Sequence, residues 1–338
     1  MTAYETSFRD LIFPIRYLPM KSAVKLLPDG FLEKLRRILP SQRFDAVANT
    51  FAEPKPTTFR INKLKTEAGP LKEKLEAAGI RLEAVPWYRE AFILKHDSLR
   101  DLQKTSSYLE GEIYVQNLSS MLPPLALDPQ PDETILDMTA APGSKTTQMA
   151  AMMKGTGRLV ANDNNKVRFF KLKANIEQQG AVNVQLSLRY GESFGRSHTG
   201  QFDRVLLDAP CSAEGRFLAT EPKTFGYWKP MKVKEMMRKQ KNLMASAVYA
   251  VKPGGLLVYS TCTFSPEENE GVLNWALSRF GDLIEIEAWD WQLPNRMAPL
   301  TQWEGKSFHP EVARACRILP TGLMEGFFLA RIRRKNQL

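Results

Sequence analysis

The chain has 338 residues, a formal net charge of +10, three cysteines and three histidines. That length supplies a full α/β domain with a smaller companion, while few, scattered cysteines and histidines argue against a disulfide framework and show no metal motif. The excess of lysine and arginine points to an anionic partner, nucleic acid first; with no basic-then-apolar leader and no membrane-length apolar run, a reducing, cytoplasmic setting without membrane association is expected.

In chain order, helical periodicity over residues 31–39 precedes a strand-like stretch at 57–62, an amphipathic helix over 71–78 ending at Gly79, and candidate strands at 81–85 and 91–94. Residues 1–110 therefore read as a small α+β unit. From about Thr134 the pattern alternates strand and helix, as a parallel sheet requires. Strands are expected at 134–138, 158–162, 183–187, 202–208, 255–260 and 326–332, with helices at 167–178 and 231–251. In the second helix Val233, Met236, Met237, Leu243, Met244, Ala247, Val248 and Val251 recur at helical spacing and form a core stripe.

Residues 134–146 combine a strand, a tight turn of small residues and the opening of a helix. Small side chains let a ligand approach the backbone, and a helix N-terminus offers unpaired N–H groups to a carboxylate or phosphate. The P-loop pattern fails here, because Ser144 separates Gly143 from Lys145 and Met138 stands where a second glycine is needed. The dinucleotide fingerprint GxGxxG is absent too. Asp163 follows the second strand, where an acid would hold a ribose; a helix cap is the alternative reading. Cys211 and Cys262 fall just past the carboxyl ends of the strands expected at 202–208 and 255–260, where open α/β sheets place their chemistry. The third cysteine, Cys316, follows no such strand.

The ordered strings AAPGSKT (140–146), DAPCS (208–212) and STCTF (260–264), with SPEENE (265–270) after them, together resemble the Nop/Sun family of S-adenosylmethionine-dependent RNA cytosine-C5 methyltransferases. The strings TFRINKLK (58–65), GEIYVQNLSS (111–120), RILP (317–320) and GFF (326–328) extend the likeness over nearly the whole chain, least before residue 50. The upstream segments look closest to bacterial small-subunit ribosomal RNA enzymes. The resemblance implies an α/β fold: a doubly wound, mostly parallel, seven-stranded class I (Rossmann-like) methyltransferase sheet over 111–338, with an N-terminal α+β RNA-facing domain over 1–110. It implies S-adenosyl-L-methionine as cofactor, with Thr139, Ala140, Ala141, Pro142, Gly143, Ser144 and Lys145 around its methionine part and Asp163 on its ribose. Family members carry Asp-Gly after the third strand to meet the adenine amino group, whereas this chain has Tyr190 before Gly191, placing Tyr190 to stack on the ring or donate its hydroxyl elsewhere.

C5 of cytosine is too poor a nucleophile to take a methyl group directly, so a thiolate must first add at C6. By resemblance Cys262 is that nucleophile and Cys211 serves release. Asp208, also at the cofactor's edge, supplies the proton or hydrogen bond that N3 of the base then needs, and Lys145 orients the base or lowers a thiol pKa. Ser265, Pro266 and Glu268 fit a capping box opening a helix. Lys223, Lys229, Lys232, Lys234, Arg238, Lys239, Lys241, Arg60, Lys63 and Lys65 are candidate backbone contacts, and Phe217, Phe225, Tyr227 and Trp228 candidate stacking platforms. The expected partner is RNA, ribosomal first and transfer RNA second, bound by a monomer without metal. A vestigial methyltransferase acting as an RNA-binding ribosome assembly factor is the rival; a zinc deaminase is excluded by its missing H-x-E and P-C-x-x-C strings. The chain ends soon after its last expected strand, so no separate C-terminal RNA-binding domain is expected.

Overall fold

A computed structural model describes residues 21–290 and 292–336; the stretch read above for a leader lies largely outside them. After two helices, α1 (Asp29–Ile38) and α2 (Ser41–Asn49), a small antiparallel sheet forms from β1 (Thr58–Ile61), β2 (Arg81–Ala84), β3 (Ala91–Lys95) and β4 (Ile113–Val115) in the order β2-β3-β1-β4. Its fourth strand lies just past the expected division at residue 110. Helix α3 (Ala68–Ala77) lays Leu71 and Leu75 on Phe59, Ile61, Phe92 and Leu94, closing a separate small core.

The main sheet follows helix α4 (Leu118–Leu127). Strands β5 (Thr134–Asp137), β6 (Arg158–Asn162), β7 (Val184–Ser187), β8 (Phe202–Asp208) and β9 (Val251–Thr261) run parallel in the order β7-β6-β5-β8-β9. The chain winds outward from β5 to β7, then returns to β8 and β9 on the other side. That reversal puts a topological switch point between β5 and β8, where doubly wound folds open a crevice at the strands' carboxyl ends.

Alternate residues feed opposite faces of the sheet, as a two-residue period demands. Ile135, Leu206, Leu256 and Val258 join one core with α4, α5 (Ser144–Met152) and α6 (Lys166–Gln179). Leu136, Val205, Leu207, Leu257 and Tyr259 join the other with α7 (Pro230–Ala250) and α8 (Glu270–Phe280).

The antiparallel end holds more strands than expected. β15 (Phe327–Arg334) pairs with β9 on one side, and on the other with both β10 (Ile284–Glu287) and β14 (Cys316–Ile318); β11 (Arg296–Met297) adds to β14, making nine strands rather than seven. β10 and β14 share one edge because each is too short to cover the eight residues of β15. A separate hairpin joins β12 (Gln302–Trp303) and β13 (Lys306–Ser307). β9 also begins earlier than its sequence suggests. A register shift between Phe202 and Arg204 absorbs the Pro253-Gly254-Gly255 stretch as a bulge, and Val251 pairs with Phe202 before it.

The expected capping box at 265–268 does not form. Residues 266–269 make a turn, and α8 starts at Glu270 with Asn269 as its N-cap. The acids of this segment are needed elsewhere: Glu268 is buried against Ser212 and Gln240, and Glu270 makes a buried two-pronged ion pair with Arg317.

Candidate active site

At the switch point the carboxyl ends of β5, β6, β8 and β9 surround a cavity of about 630 Å³. The turn after β5 is shaped by Gly143, whose φ of +108° is a backbone state other residues rarely adopt; a Cβ there would also lie 3.0 Å from Leu172. Thr139, Ala140, Ala141, Pro142, Ser144 and Lys145 line the cavity, while Gly143 supports them from behind. Asp163 lines it after β6, its Oδ1 accepting from the Asn165 backbone N–H at 2.9 Å and its Oδ2 facing Arg168. Asn165, not Asp163, caps α6.

Cys211 and Cys262 meet in the same cavity with their sulfurs 3.4 Å apart. Adjacent parallel strands β8 and β9 bring them together, since Asp208 pairs with Ser260 and each thiol lies a few residues beyond. The hydrogen bond to Cys262, then burial, raise the Cys211 thiol well above its ordinary value. Cys211 therefore remains an S–H donor, and its natural acceptor is the Cys262 sulfur. Arg216 lines the same cavity, its guanidinium held above its usual value by Glu325 first and next by Cys262.

The Lys145 ammonium sits 2.7 Å from Asp208 Oδ2 and 2.8 Å from Ser120 Oγ, while Ser260 donates to Asp208 Oδ1 at 2.7 Å. Thr139 ties the cofactor-side turn to this strand by donating to the Asp208 carbonyl at 2.8 Å.

Tyr190 is not brought to the site. It is 72% exposed and lies outside the main cavity, whose wall at that point is Gly191 and Glu192. Glu192 and Asp137 were missed by sequence reasoning. Each lines the cavity and each keeps one buried carboxyl oxygen without a partner. Burial pushes Asp137 up to about 7, although Thr146 donates to its other oxygen. Its signal was in plain view, an acid closing the first strand of a parallel sheet.

Several residues expected at an RNA surface are internal. Arg60 is buried, donating to Gln116 Oε1, the Ser144 carbonyl and Thr147 Oγ1, so it fastens the small sheet to α5. Phe217 and Trp228 are core residues packed on Phe31, and Phe225 is half-buried beside them. Tyr227 remains 46% exposed, and Lys239 lines the main cavity. Lys63 pairs with Glu67, and Lys65 donates to two backbone carbonyls, of Glu110 and Gln178.

Among the described residues no group of acids, cysteines and histidines is arranged to hold a metal, and no helix is long and apolar enough to cross a membrane.

A doubly wound sheet with its cavity at the switch point and an antiparallel closing strand is a Rossmann-like methyltransferase fold. The family model for 16S rRNA methyltransferase RsmB/F matches residues 124–333, and that for the N-terminal domain of 16S rRNA methyltransferase RsmF matches residues 27–118. The chain belongs to the RsmB/F family. It is 40% identical over 316 residues to ribosomal RNA small subunit methyltransferase F of Vibrio parahaemolyticus, covering 92% of this chain and 64% of that protein. The Escherichia coli protein of the same name is 36% identical with the same coverage. The chain thus spans less than two thirds of the length of these relatives. Among solved structures, a methyltransferase homolog protein from Pyrococcus horikoshii superposes with a TM-score of 0.76 at 34% identity, covering 91% of this chain and all of the other. NSun6 from the same organism, at 22% identity and a TM-score of 0.78 over 93% of this chain and all of its own, shares the fold.

Proposed function

We propose that the chain is an S-adenosyl-L-methionine-dependent RNA (cytosine-5-)-methyltransferase acting on small-subunit ribosomal RNA in the cytoplasm, as a monomer. The observation that carries this reading is the pair of thiols 3.4 Å apart in one cavity with the Lys145–Asp208 ion pair. Family membership and the names of the relatives support the substrate.

The cavity fits the cofactor. Asp137 and Glu192 present buried acceptors without partners, Asp163 stands where a ribose diol would need one, and the small residues of the turn leave room beside the backbone. When bound, S-adenosyl-L-methionine supplies an electrophilic methyl group; everything else is done by this chain. The Cys262 thiolate forms a bond to C6 of the cytosine, and the electron pair displaced toward N3 is met by the Asp208–Lys145 pair, which can lend a proton. C5 thereby becomes nucleophilic. Once C5 is methylated, its hydrogen leaves as a proton, the S–C6 bond breaks, and Cys262 departs as a thiolate steadied by the Cys211 S–H. The base must be unstacked to reach the two sulfurs, so single-stranded or flipped cytidine is the form accepted.

The test is transfer of labelled methyl groups from the cofactor to purified small-subunit ribosomal RNA and, separately, to transfer RNA. Recovery of 5-methylcytosine from ribosomal RNA supports the reading, and label in transfer RNA alone would move the substrate. Cofactor and RNA binding without transfer to either would favour an assembly factor.

A further inference from the structure

Beside the main cavity lies a second of about 310 Å³, and the two share a wall made by Val115, Gln116, Asn117, Arg216 and Glu325. The smaller cavity is otherwise formed by residues 53–58 and by the loop 215–218 with Thr224. That loop is attached to the nucleophile, because the Gly215 N–H donates to the Cys262 carbonyl at 2.9 Å. It cannot easily shift: a Cβ on Gly215 would lie 2.1 Å from the Gly326 carbonyl oxygen.

Lys55 is the unusual member of this wall. Its ammonium donates to the Thr50 carbonyl at 2.5 Å, and no carboxylate among the described residues forms an ion pair with it. Burial pushes it down to about 8, against the opposing influence of Glu325 and Glu53. A cation held partly out of water without an anionic partner costs free energy that an arriving anion recovers. Arg216 supplies a second cation from the shared wall, with a side chain 62% exposed. Of the two acids of this cavity, Glu53 pairs with Lys21, and Glu325 faces Arg216 across 3.5 Å within the shared wall. Pro54, Pro56 and Leu218 give the cavity apolar surface suited to the flat face of a base.

Building on the RNA reading above, we propose that the smaller cavity seats the nucleotide adjoining the target cytidine, with its phosphate between Lys55 and Arg216 and its base against Pro54, Pro56 and Leu218. The shared wall keeps the neighbouring nucleotide in register with the base over Cys262. Neither family membership nor the two-thiol chemistry requires such a seat.

The experiment measures binding and methylation of small-subunit ribosomal RNA by the full chain across a range of salt concentrations. Loss of one phosphate contact to a single strand lowers the slope of log affinity against log salt by about 0.7. Lys55→Met is expected to lose that slope and roughly tenfold in kcat/KM, to keep its affinity for S-adenosyl-L-methionine, and to be rescued by Lys55→Arg. An unchanged slope and kcat/KM in Lys55→Met would overturn the proposal. Should that variant fail to bind cofactor, Arg216→Gln gives the same slope reading. Absence of RNA binding and methyl transfer in the unmodified protein would instead remove the RNA reading, and the seat with it.

Discussion

Ser212 and Thr263, the residues that follow the two cavity cysteines, share a hydrogen bond of 2.7 Å. Each also reaches a buried acid, Ser212 to Glu268 and Thr263 to Glu214 Oε2 at 2.8 Å. Glu214 accepts from four donors in all, including Trp228 Nε1 at 2.8 Å and Ser265 Oγ at 2.7 Å, a set that suits a carboxylate. Glu268 is different: burial, followed by the nearby Glu214, pushes it up to about 8. Ser212 donates to Glu268 Oε1 and Thr263 to Glu214, so the two buried acids are joined through the Ser212–Thr263 hydroxyl pair. Because the folded value lies above the ordinary 4.5, folding takes up a proton. The stabilisation is fully present below pH 4.5 and is lost as pH rises through about 8, at up to about 1.4 kcal/mol per pH unit between them. Denaturant titrations from pH 5 to pH 9 should show this decline in the parent protein, and Glu268→Gln should make it shallower, leaving the share that Asp137 contributes up to about pH 7. An equal slope in that variant would refute the neutral state.

The two thiols should separate cleanly on a denaturing gel. Cys211→Ala, incubated with cofactor and small-subunit ribosomal RNA, is expected to attack and methylate but stall before release, leaving an RNase-sensitive covalent band. Cys262→Ala should give neither band nor methylated product, because the bond to C6 never forms. Activity retained by Cys262→Ala would show that the roles are wrongly assigned.

Asp163 is fixed by the Asn165 N–H and by Arg168, so its carboxylate is held in place before any ligand arrives. Asp163→Ala should weaken binding of S-adenosyl-L-methionine by about 10- to 100-fold, the worth of hydrogen bonds to a charged group. Isothermal titration without RNA reads this directly. Tyr190→Ala should change the same affinity by less than about twofold, since that side chain stands outside the cavity.

Arg60 offers a stability measurement. Replacement by Ala removes three hydrogen bonds and strands Gln116 Oε1 in a buried place, so a loss of about 3 kcal/mol is expected. Because Arg60 holds the start of α5, cofactor affinity should fall with it. Denaturant unfolding decides the first point; a midpoint shift below about 0.5 kcal/mol would mean the buried guanidinium contributes little net.

Much of this architecture is legible in the residues because its signals are local. Strands β6 and β8 lie where short aliphatic runs end in polar residues, and the turn after β5 is announced by its small side chains. Positions governed by distant partners are not legible in that way. Arg60 reads as an RNA contact until β1 is seen against α5, and Phe217 and Trp228 read as stacking platforms until Phe31 covers them. The SPEENE string has every local mark of a capped helix, yet long-range demands on Glu268 and Glu270 outweigh a preference worth about 1 kcal/mol. Tyr190 and Glu192 stand two residues apart, and only the path of the chain after β7 decides which one faces the cavity.

The apolar face of α1 and α2 is closed by Phe51 nearby and by Phe217, Trp228, Phe264 and Leu319 from far along the chain. During synthesis these helices emerge long before residues 217–319, so part of the face formed by Phe31, Leu35, Phe44 and Val47 stays uncovered until those residues follow. Contacts of such long sequence separation form slowly, so that face is open to other apolar surfaces while translation continues.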